Sequence, residues 1–331
     1  MASIPPTPND DFRPTASWEN LWLRAGLLRR LREFFHGRGF LEVETPVLSA
    51  DTVVDRHLDP FPVEVQRGPG EPPARLWLQT SPEFAMKRLL AAGAEAIYQV
   101  SRVFRLDEQG PLHNPEFTMV EWYRVGHGID EGMQLTSDLC DALLKRGPAE
   151  RIAYRQALQE HVGVDPHTAD TEALVSAVER CGVVAPVSLS SEDRDGWLDL
   201  LLTERVRPHL GQKRPTILYD YPASQAALAR VRPDEPPVAE RFELFVSGIE
   251  LANGYHELLD PAELRRRIAR ANARRRADGK SALPEQSRLL AAMQSGLPAA
   301  VGVSLGFDRL VMLAAGAKSL SEVLAFPFDR A

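Results

Sequence analysis

The amino-acid sequence predicts an α+β fold built around one large core. Runs rich in aromatic and β-branched residues recur between clusters of glycine and proline, which is the pattern of β-strands. Between these runs lie longer segments whose apolar residues repeat at helical spacing. A chain of 331 residues, of which 44% are hydrophobic, can bury such a core without disulfide bonds or structural metals.

The N-terminal part predicts a tail followed by a helix. Residues 1–17 hold four prolines among small and polar residues, a composition typical of a disordered tail. From Trp18 an amphipathic helix of about five turns is predicted, and Gly37 with Gly39 can end it. The apolar stripe of this helix consists of Leu23, Leu27, Leu31 and Phe34.

Strand patterns dominate the next hundred residues. Residues 40–44 alternate in strand fashion, and Pro46 interrupts ladder pairing directly afterwards. The Gly- and Pro-rich residues 66–75 separate two strand-like runs, which predicts a long hairpin loop. The following elements are predicted as a strand, a helix and a strand: 76–79, 82–92 and 96–104.

The remainder of the chain predicts a helical middle and a strand-rich end. Residues 129–208 are helical by composition and contain no chemical motif. Strands are predicted at 216–221, 241–250 and 301–305, and an apolar helix at 307–315. We find no internal repeat.

Composition excludes several classes of protein. The net charge of −7 argues against broad electrostatic binding to nucleic acid. Cys140 and Cys181 lack the spacing of a disulfide framework or a zinc site, and we expect two ordinary buried thiols. No signal peptide and no apolar stretch of about 18 residues occurs, so we expect a cytoplasmic protein without a membrane partner.

One segment is locally basic. Seven arginines lie between residues 265 and 276, in a stretch that predicts a helix opened by Pro261. Such runs usually form a solvated helix face, which is the interpretation we favour. Docking of an acidic partner is the alternative.

Two short motifs suggest other enzymes but fail on context. Residues 302–306 match the GxSxG turn of serine hydrolases, yet every histidine precedes them, whereas that fold needs one downstream. Residues 279–281 resemble the end of a phosphate-binding P-loop, but Arg274 stands where the first glycine is required.

Three separated segments carry the chemistry. They read GFLEVETPVLS from Gly39, YQVSRVFRLDEQGPLHNPEFTMVEWY from Tyr98, and GVSLGFDRLVML from Gly302. In order and in signature they closely resemble the three motifs of the class II aminoacyl-tRNA synthetases. Residues 113–123 and 250–258 resemble the lysyl branch of that class. The resemblance covers roughly residues 18–331 and implies one catalytic domain, an α+β core in which an antiparallel sheet is flanked by helices.

The resemblance also implies an activity and partners. Lysyl-tRNA synthetases carry an oligonucleotide-binding domain before this core, whereas here only the proline-rich tail precedes Trp18. In this, and in YDYPASQ at 219–225, the chain is similar to a family of synthetase paralogues that attach (R)-β-lysine to elongation factor P. The implied reaction is activation of a lysine-like amino acid with ATP and Mg²⁺, followed by transfer to a lysine side chain of elongation factor P. A homodimer through the first-motif helix and strand is expected, and tRNA is not expected as a partner.

The residue chemistry of the second and third segments fits ATP. Activating a carboxylate on ATP brings two anions together, and the permanently charged, planar guanidinium of Arg105 can bridge them. Arg309 combines its charge with the free N–H groups of a helix start. We expect both arginines to be catalytic, with a set of ATP-binding neighbours: Asp107, His113, Asn114, Phe117, Glu250, Leu251 and Gly306.

The acidic residues fit the amino acid and the metal. Glu243, Glu250 and Glu257 recur every seven residues, which is odd for one strand, so we expect a turn near residues 252–254. The resemblance assigns Mg²⁺ to Glu243 and Glu250, and the distal ammonium of the substrate to Glu257 and Tyr123. It assigns the second amine to Glu83, with Glu121 nearby. The alternative for Glu243, Glu250 and Glu257 is that they form a solvated strand edge. The remaining substrate-binding candidates are Ser81, Pro82, Asn253 and Ser304.

Four positions depart from the synthetase pattern. Leu106-Asp107 replaces the usual Asn-Glu after the key arginine, which places the contact of Asp107 in question, and Leu112 replaces a polar or aromatic residue. Ser304 stands where the lysyl enzymes have glycine, so the preferred lysine isomer should differ. Two rival functions remain: a truncated synthetase that charges tRNA, and an inactive paralogue that regulates a partner.

Overall fold

The computed structural model describes residues 12–331, and the N-terminal helix is where the sequence places it. Helix α1 spans Trp18–His36, begins after Ser17, whose hydroxyl accepts from the Asn20 amide, and ends at Gly37. Of the predicted tail, residues 1–11 lie outside the described residues. Thr15 donates its amide to the Ala325 carbonyl, so this part of the N-terminal segment contacts the C-terminus.

Nine strands form the central sheet and three form a smaller one. The central sheet has the order β1-β5-β6-β12-β11-β10-β8-β7, with β9 paired to β10, and the small sheet has the order β2-β4-β3. In chain order the strands are β1 Leu41–Glu42, β2 Leu48–Ser49, β3 Pro62–Val65, β4 Ala74–Leu78, β5 Ala96–Phe104, β6 Glu116–Val125, β7 Glu150–Ala153, β8 Thr216–Pro222, β9 Val231–Arg232, β10 Val238–Val246, β11 Ile249–His256 and β12 Ala300–Gly306.

Eight further helices flank these sheets among the described residues. They are α2 Glu83–Ala91, α3 Ile129–Leu144, α4 Tyr154–His161, α5 Thr171–Arg180, α6 Arg194–Leu201, α7 Pro261–Ala277, α8 Arg288–Gly296 and α9 Phe307–Ala315. The predicted helices at 82–92 and 307–315 are confirmed, as are the strand at 96–104 and the hairpin loop between β3 and β4. No helix in the described part of the chain has the length and apolarity that a bilayer crossing requires.

The sheet confirms the α+β prediction and adds parallel edges. From β5 through β6, β12, β11, β10 to β8, every pairing is antiparallel. At the two ends, β1 pairs with β5 and β7 pairs with β8 in parallel. Parallel neighbours need a long crossover. The chain supplies one through the small sheet and α2, and the other through α4–α6.

The hairpin of β10 and β11 corrects two sequence predictions. Residues 241–250 are not one strand, because the chain reverses at Ser247 and Gly248, whose φ angles of 53° and 75° suit a tight two-residue turn. The turn predicted near residues 252–254 is therefore wrong. The register shifts within this hairpin, since Leu244 pairs with Ala252 whereas Phe245 pairs with Glu250, so Leu251 forms a bulge.

The segment between α3 and β8 has its own apolar core. Buried residues of α4, α5 and α6, including Tyr154, Leu174 and Trp197, pack against the outer part of the sheet. The prediction of an entirely helical stretch at 129–208 is wrong at β7. Cys140 and Cys181 are both free thiols, as expected. Cys140 is buried as expected, whereas Cys181 is only half-buried.

Candidate active site

Two adjoining cavities lie over the middle of the central sheet. The smaller has a volume of about 550 Å³ and the larger about 1940 Å³. The same five residues line both, so the cavities are continuous: Arg105, Met119, Glu250, Asn253 and Ser304. Apart from Asp107, Pro82 and Glu243, every predicted site residue lines at least one of them.

Two arginines and an aromatic ring define the smaller cavity. Arg105 directly follows β5, and its guanidinium carbon lies 5.0 Å from the centre of the Phe117 ring, on the facing strand β6. Arg309 enters from the first turn of α9. A Cβ atom at Gly306, the residue before α9, would lie 3.8 Å from the Arg309 side chain, which is ordinary van der Waals contact. The cavity therefore combines fixed positive charge with one aromatic face, which suits a nucleoside triphosphate.

Arg309 is held in place by the chain around it. Its Nε donates to the Leu112 carbonyl over 3.1 Å and its Nη1 to the Glu250 carbonyl over 3.0 Å. Its Nη2 lies 2.8 Å from His113 Nε2, and because arginine can only donate, the histidine nitrogen accepts. Burial, together with the charges of Arg309 and Arg105, lowers the pKa of His113, so its ring is neutral at pH 7.

Two predicted ATP ligands have different surroundings from those expected. The Asn114 amide donates to the Glu116 carbonyl and accepts from the Phe328 amide, so it fixes the C-terminal segment beside the cavity. Asp107 has a left-handed φ of 64° and lies outside the cavity lining. Glu108 lines the cavity instead, with its carboxylate 3.6 Å from Arg105 Nη1.

Glu243 and Glu250 meet across the hairpin of β10 and β11. The bulge at Leu251 breaks strand alternation, so Glu250 and Asn253, three residues apart, both line the cavities. Burial and the charge of Glu250 raise the pKa of Glu243. The side chain of Glu243 also pairs with Arg241 Nη2 at 2.5 Å.

The metal prediction fits these two carboxylates. Carboxylates are hard oxygen donors of the kind Mg²⁺ takes; Glu250 lines both cavities and Glu243 lies outside their lining, so phosphate and water would complete the shell. The described residues hold no group of three or more acidic, histidine or cysteine side chains that could bind a metal without such help.

The inner end of the larger cavity is acidic and buried. Glu83, Glu121, Tyr123 and Glu257 converge there from α2, β6 and the end of β11, and all four are buried. The Tyr123 hydroxyl donates to Glu121 over 2.5 Å, and the Ser81 hydroxyl donates to the other oxygen of that carboxylate over 2.8 Å. Burial raises the pKa of Glu121 to about 7, reinforced by the charge of Glu83.

Lys87 belongs to this cluster, and the sequence analysis missed it. Its ammonium pairs with Glu83 and lies 2.5 Å from Glu257 Oε2. Burial raises the pKa of Glu257 to about 8 even though Lys87 opposes the shift. Burial lowers the pKa of Lys87 itself, but the charges of Glu257 and Glu83 outweigh that effect and raise it overall. Its spacing of four residues from Glu83 on a helix was the one available sequence signal.

The floor of the cavity is strand β12. A Cβ atom at Gly302 would lie 2.2 Å from the Tyr123 ring and 2.3 Å from Glu257 Oε1, so only glycine fits. Ser304, two residues on, faces the same way and its hydroxyl lies 3.4 Å from the Asn253 carbonyl oxygen. The serine therefore lies within the strand and not in the sharp turn that a hydrolase nucleophile occupies.

The arginine-rich helix α7 borders the outer part of the larger cavity. Arg275 is buried and pairs with Asp59 at 2.7 Å, so the interpretation of a solvated face is wrong for it. Arg274 lies 3.4 Å from Asp195 across the cavity mouth. Five of the seven arginines form ion pairs within the described chain, which neutralises much of the segment: Arg266, Arg267, Arg274, Arg275 and Arg276.

Comparison with known proteins agrees with this geometry. The family model described as tRNA synthetases class II (D, K and N) matches residues 10–330. A protein of Salmonella gallinarum named Elongation factor P–(R)-beta-lysine ligase is 48% identical over 321 residues, covering 97% of this chain and 98% of that protein. Ligases of the same name from Vibrio vulnificus and Klebsiella pneumoniae are 49% and 47% identical, each over 98% of its length and 96% and 97% of this chain. The chain belongs to the class II tRNA synthetase family of the D, K and N type.

Proposed function

We propose that this protein activates (R)-β-lysine with ATP and transfers it to a lysine side chain of elongation factor P. The observation that carries the proposal is the continuity of two unlike cavities, one with two fixed arginines and one with a buried acidic end. A substrate with two ammonium groups and one carboxylate fits the acidic end, with its carboxylate directed towards Arg105. The name of the relatives that share 47–49% identity supplies the acceptor.

The reaction needs no covalent bond to the enzyme. A carboxylate oxygen of the amino acid attacks the α-phosphorus of ATP, a P–O bond to the β-phosphate breaks, and pyrophosphate leaves. The acceptor amine then attacks the activated carbonyl, AMP leaves, and the amine loses a proton. Arg105 and Arg309 neutralise phosphate charge, and positioning with electrostatic stabilisation lowers the barrier. Mg²⁺ held by Glu243 and Glu250 would neutralise further phosphate charge.

A homodimer is part of the proposal. Trp18 and Trp22 lie one helical turn apart on α1, are 72% and 76% exposed, and Leu41 on β1 is 63% exposed. Large apolar side chains left open in this way are typical of association surfaces. They belong to the helix and strand of the first motif, through which the family resemblance implies pairing. Measurement of molar mass in solution tests this, and a monomer at micromolar concentration contradicts it.

Transfer to protein is preferred over transfer to tRNA. The net charge of −7 provides little general attraction for a polyanion. Because elongation factor P is a translation factor, we place the reaction in the cytoplasm. The decisive assay incubates the enzyme with ATP, labelled (R)-β-lysine and either purified elongation factor P or total tRNA. Label on tRNA with unmodified protein would favour the truncated synthetase, and absence of any adenylate would favour the inactive paralogue.

A further inference from the structure

The acidic end of the larger cavity contains a cation of its own. The Lys87 side chain is 3% exposed, and its two partners come from different parts of the chain, Glu83 on α2 and Glu257 after β11. The Glu83 contact alone would be an ordinary pair within a helix. The Glu257 contact, at 2.5 Å between two side chains that are 3% and 1% exposed, ties the helix to the sheet inside the pocket.

The cluster contains more carboxylates than ammonium groups. Glu83, Glu121 and Glu257 are three carboxylates, and Lys87 is one ammonium, so the fully ionised cluster carries two negative charges. A buried charge without a partner is strongly destabilising, so a pocket of this kind accepts ligands that balance it. Two ammonium groups balance it, whereas one ammonium leaves a carboxylate unpaired.

We propose that Lys87 is a specificity-determining and positioning residue: it sets the charge of the fully ionised amino-acid pocket at −2 and, from its place between Glu83 and Glu257, holds both carboxylates in position. The inference rests on the proposed function, because it concerns how that site selects a diamine. Lys87 does not touch the reacting atoms and acts through the two carboxylates.

The test compares neutral and charged replacements of Lys87. Lys87→Met and Lys87→Gln both remove the charge. The glutamine keeps a hydrogen-bond donor, so this variant is used if the methionine variant does not fold. Lys87→Arg keeps the charge in another shape. Lys213→Met, at an exposed position, is the matched control.

ATP–pyrophosphate exchange is measured as a function of pH and of both substrate concentrations. In the neutral variants we expect the acid limb of kcat/KM for (R)-β-lysine to move up by about one pH unit or more, because the carboxylates lose the cation that favours their ionised form. We expect KM for the amino acid to rise about tenfold or more while KM for ATP stays unchanged, since the lost interaction is in the acidic end alone. Lys87→Arg should retain the wild-type acid limb. An acid limb that does not move in the neutral variants, or equal rises of both KM values, overturns the inference.

A second readout separates this inference from the proposed function. If the wild-type enzyme exchanges with no lysine isomer, the proposed function fails whatever the variants do. Carbon-13 NMR titration of carboxylate-labelled glutamate then still measures the effect of Lys87 on Glu257, because it needs no turnover. The Glu257→Gln variant assigns the Glu257 signal. An upward shift of the Glu257 titration midpoint in Lys87→Gln supports the charge-setting role, and an unchanged midpoint refutes it.

Discussion

Replacing Glu257 by glutamine removes one ionisable carboxylate from the acidic pocket and almost no volume. Glu257 is 1% exposed, and its carboxylate lies 2.5 Å from Lys87 and directly against the glycine floor at Gly302. Loss of one partner from a buried pair costs about 3 to 5 kcal/mol. In this variant Lys87 keeps Glu83 as a second partner. We therefore expect the loss of binding free energy for the amino acid to lie in the lower part of that range.

The assay is ATP–pyrophosphate exchange with each substrate varied in turn. About 3 kcal/mol corresponds to a factor of roughly 150, since each 1.36 kcal/mol is tenfold. We therefore expect KM for the amino acid to rise by about two orders of magnitude, with KM for ATP nearly unchanged, because the smaller cavity does not include Glu257. Glu285→Gln, at an exposed carboxylate, is the control, and thermal unfolding checks the fold. An equal rise in KM for ATP would refute the assignment of Glu257 to the amino acid.

Three further predictions concern the remaining parts of the site. Arg105→Ala and Arg309→Ala should each reduce exchange by at least a hundredfold with the fold intact by circular dichroism, because loss of one such donor costs about 3 to 4 kcal/mol; exchange within tenfold of wild type in both would contradict the site. Burial raises the pKa of Glu121 to about 7 and of Glu257 to about 8, and the ionised forms bind ammonium. The kcat/KM for the amino acid should therefore fall as pH decreases through this window, and a flat profile between pH 6 and about 9 would argue against it. Ser304→Gly should shift the ratio of kcat/KM from β-lysine towards α-lysine by about 1 to 3 kcal/mol, because it removes a side chain from the floor; an unchanged ratio would refute the steric role.

Much of the site was predictable because its residues lie in short, ordered segments. Arg309 is in the first turn of a helix that follows a strand, an arrangement that the local sequence fixes. Arg105 and Phe117 lie at opposite ends of a polar loop between two strands, so antiparallel pairing of those strands brings them together. Caps and turn residues act over a few positions, which is why α1 begins and ends where the sequence places it.

Contacts between distant segments were not predictable in the same way. The motif resemblance predicts Asp107 as an ATP contact, but Asp107 has a left-handed backbone and lies outside the cavity lining, whereas Glu108 lines the cavity. The seven-residue period of the glutamates predicts a turn near residues 252–254, whereas the chain turns at Gly248 and bulges at Leu251.

The sequence by itself determined the family, many of the helices and strands, and a set of candidate site residues of which all but Asp107, Pro82 and Glu243 line the two cavities. Only the tertiary structure decided that Lys87 stands between Glu83 and Glu257, and that most of the arginines of α7 are paired within the chain. The physical reason is that helix and strand periods relate residues a few positions apart. The meeting of a helix side chain with a carboxylate beyond a distant strand depends on how α2 packs against the sheet, and no local pattern in the chain encodes that distance.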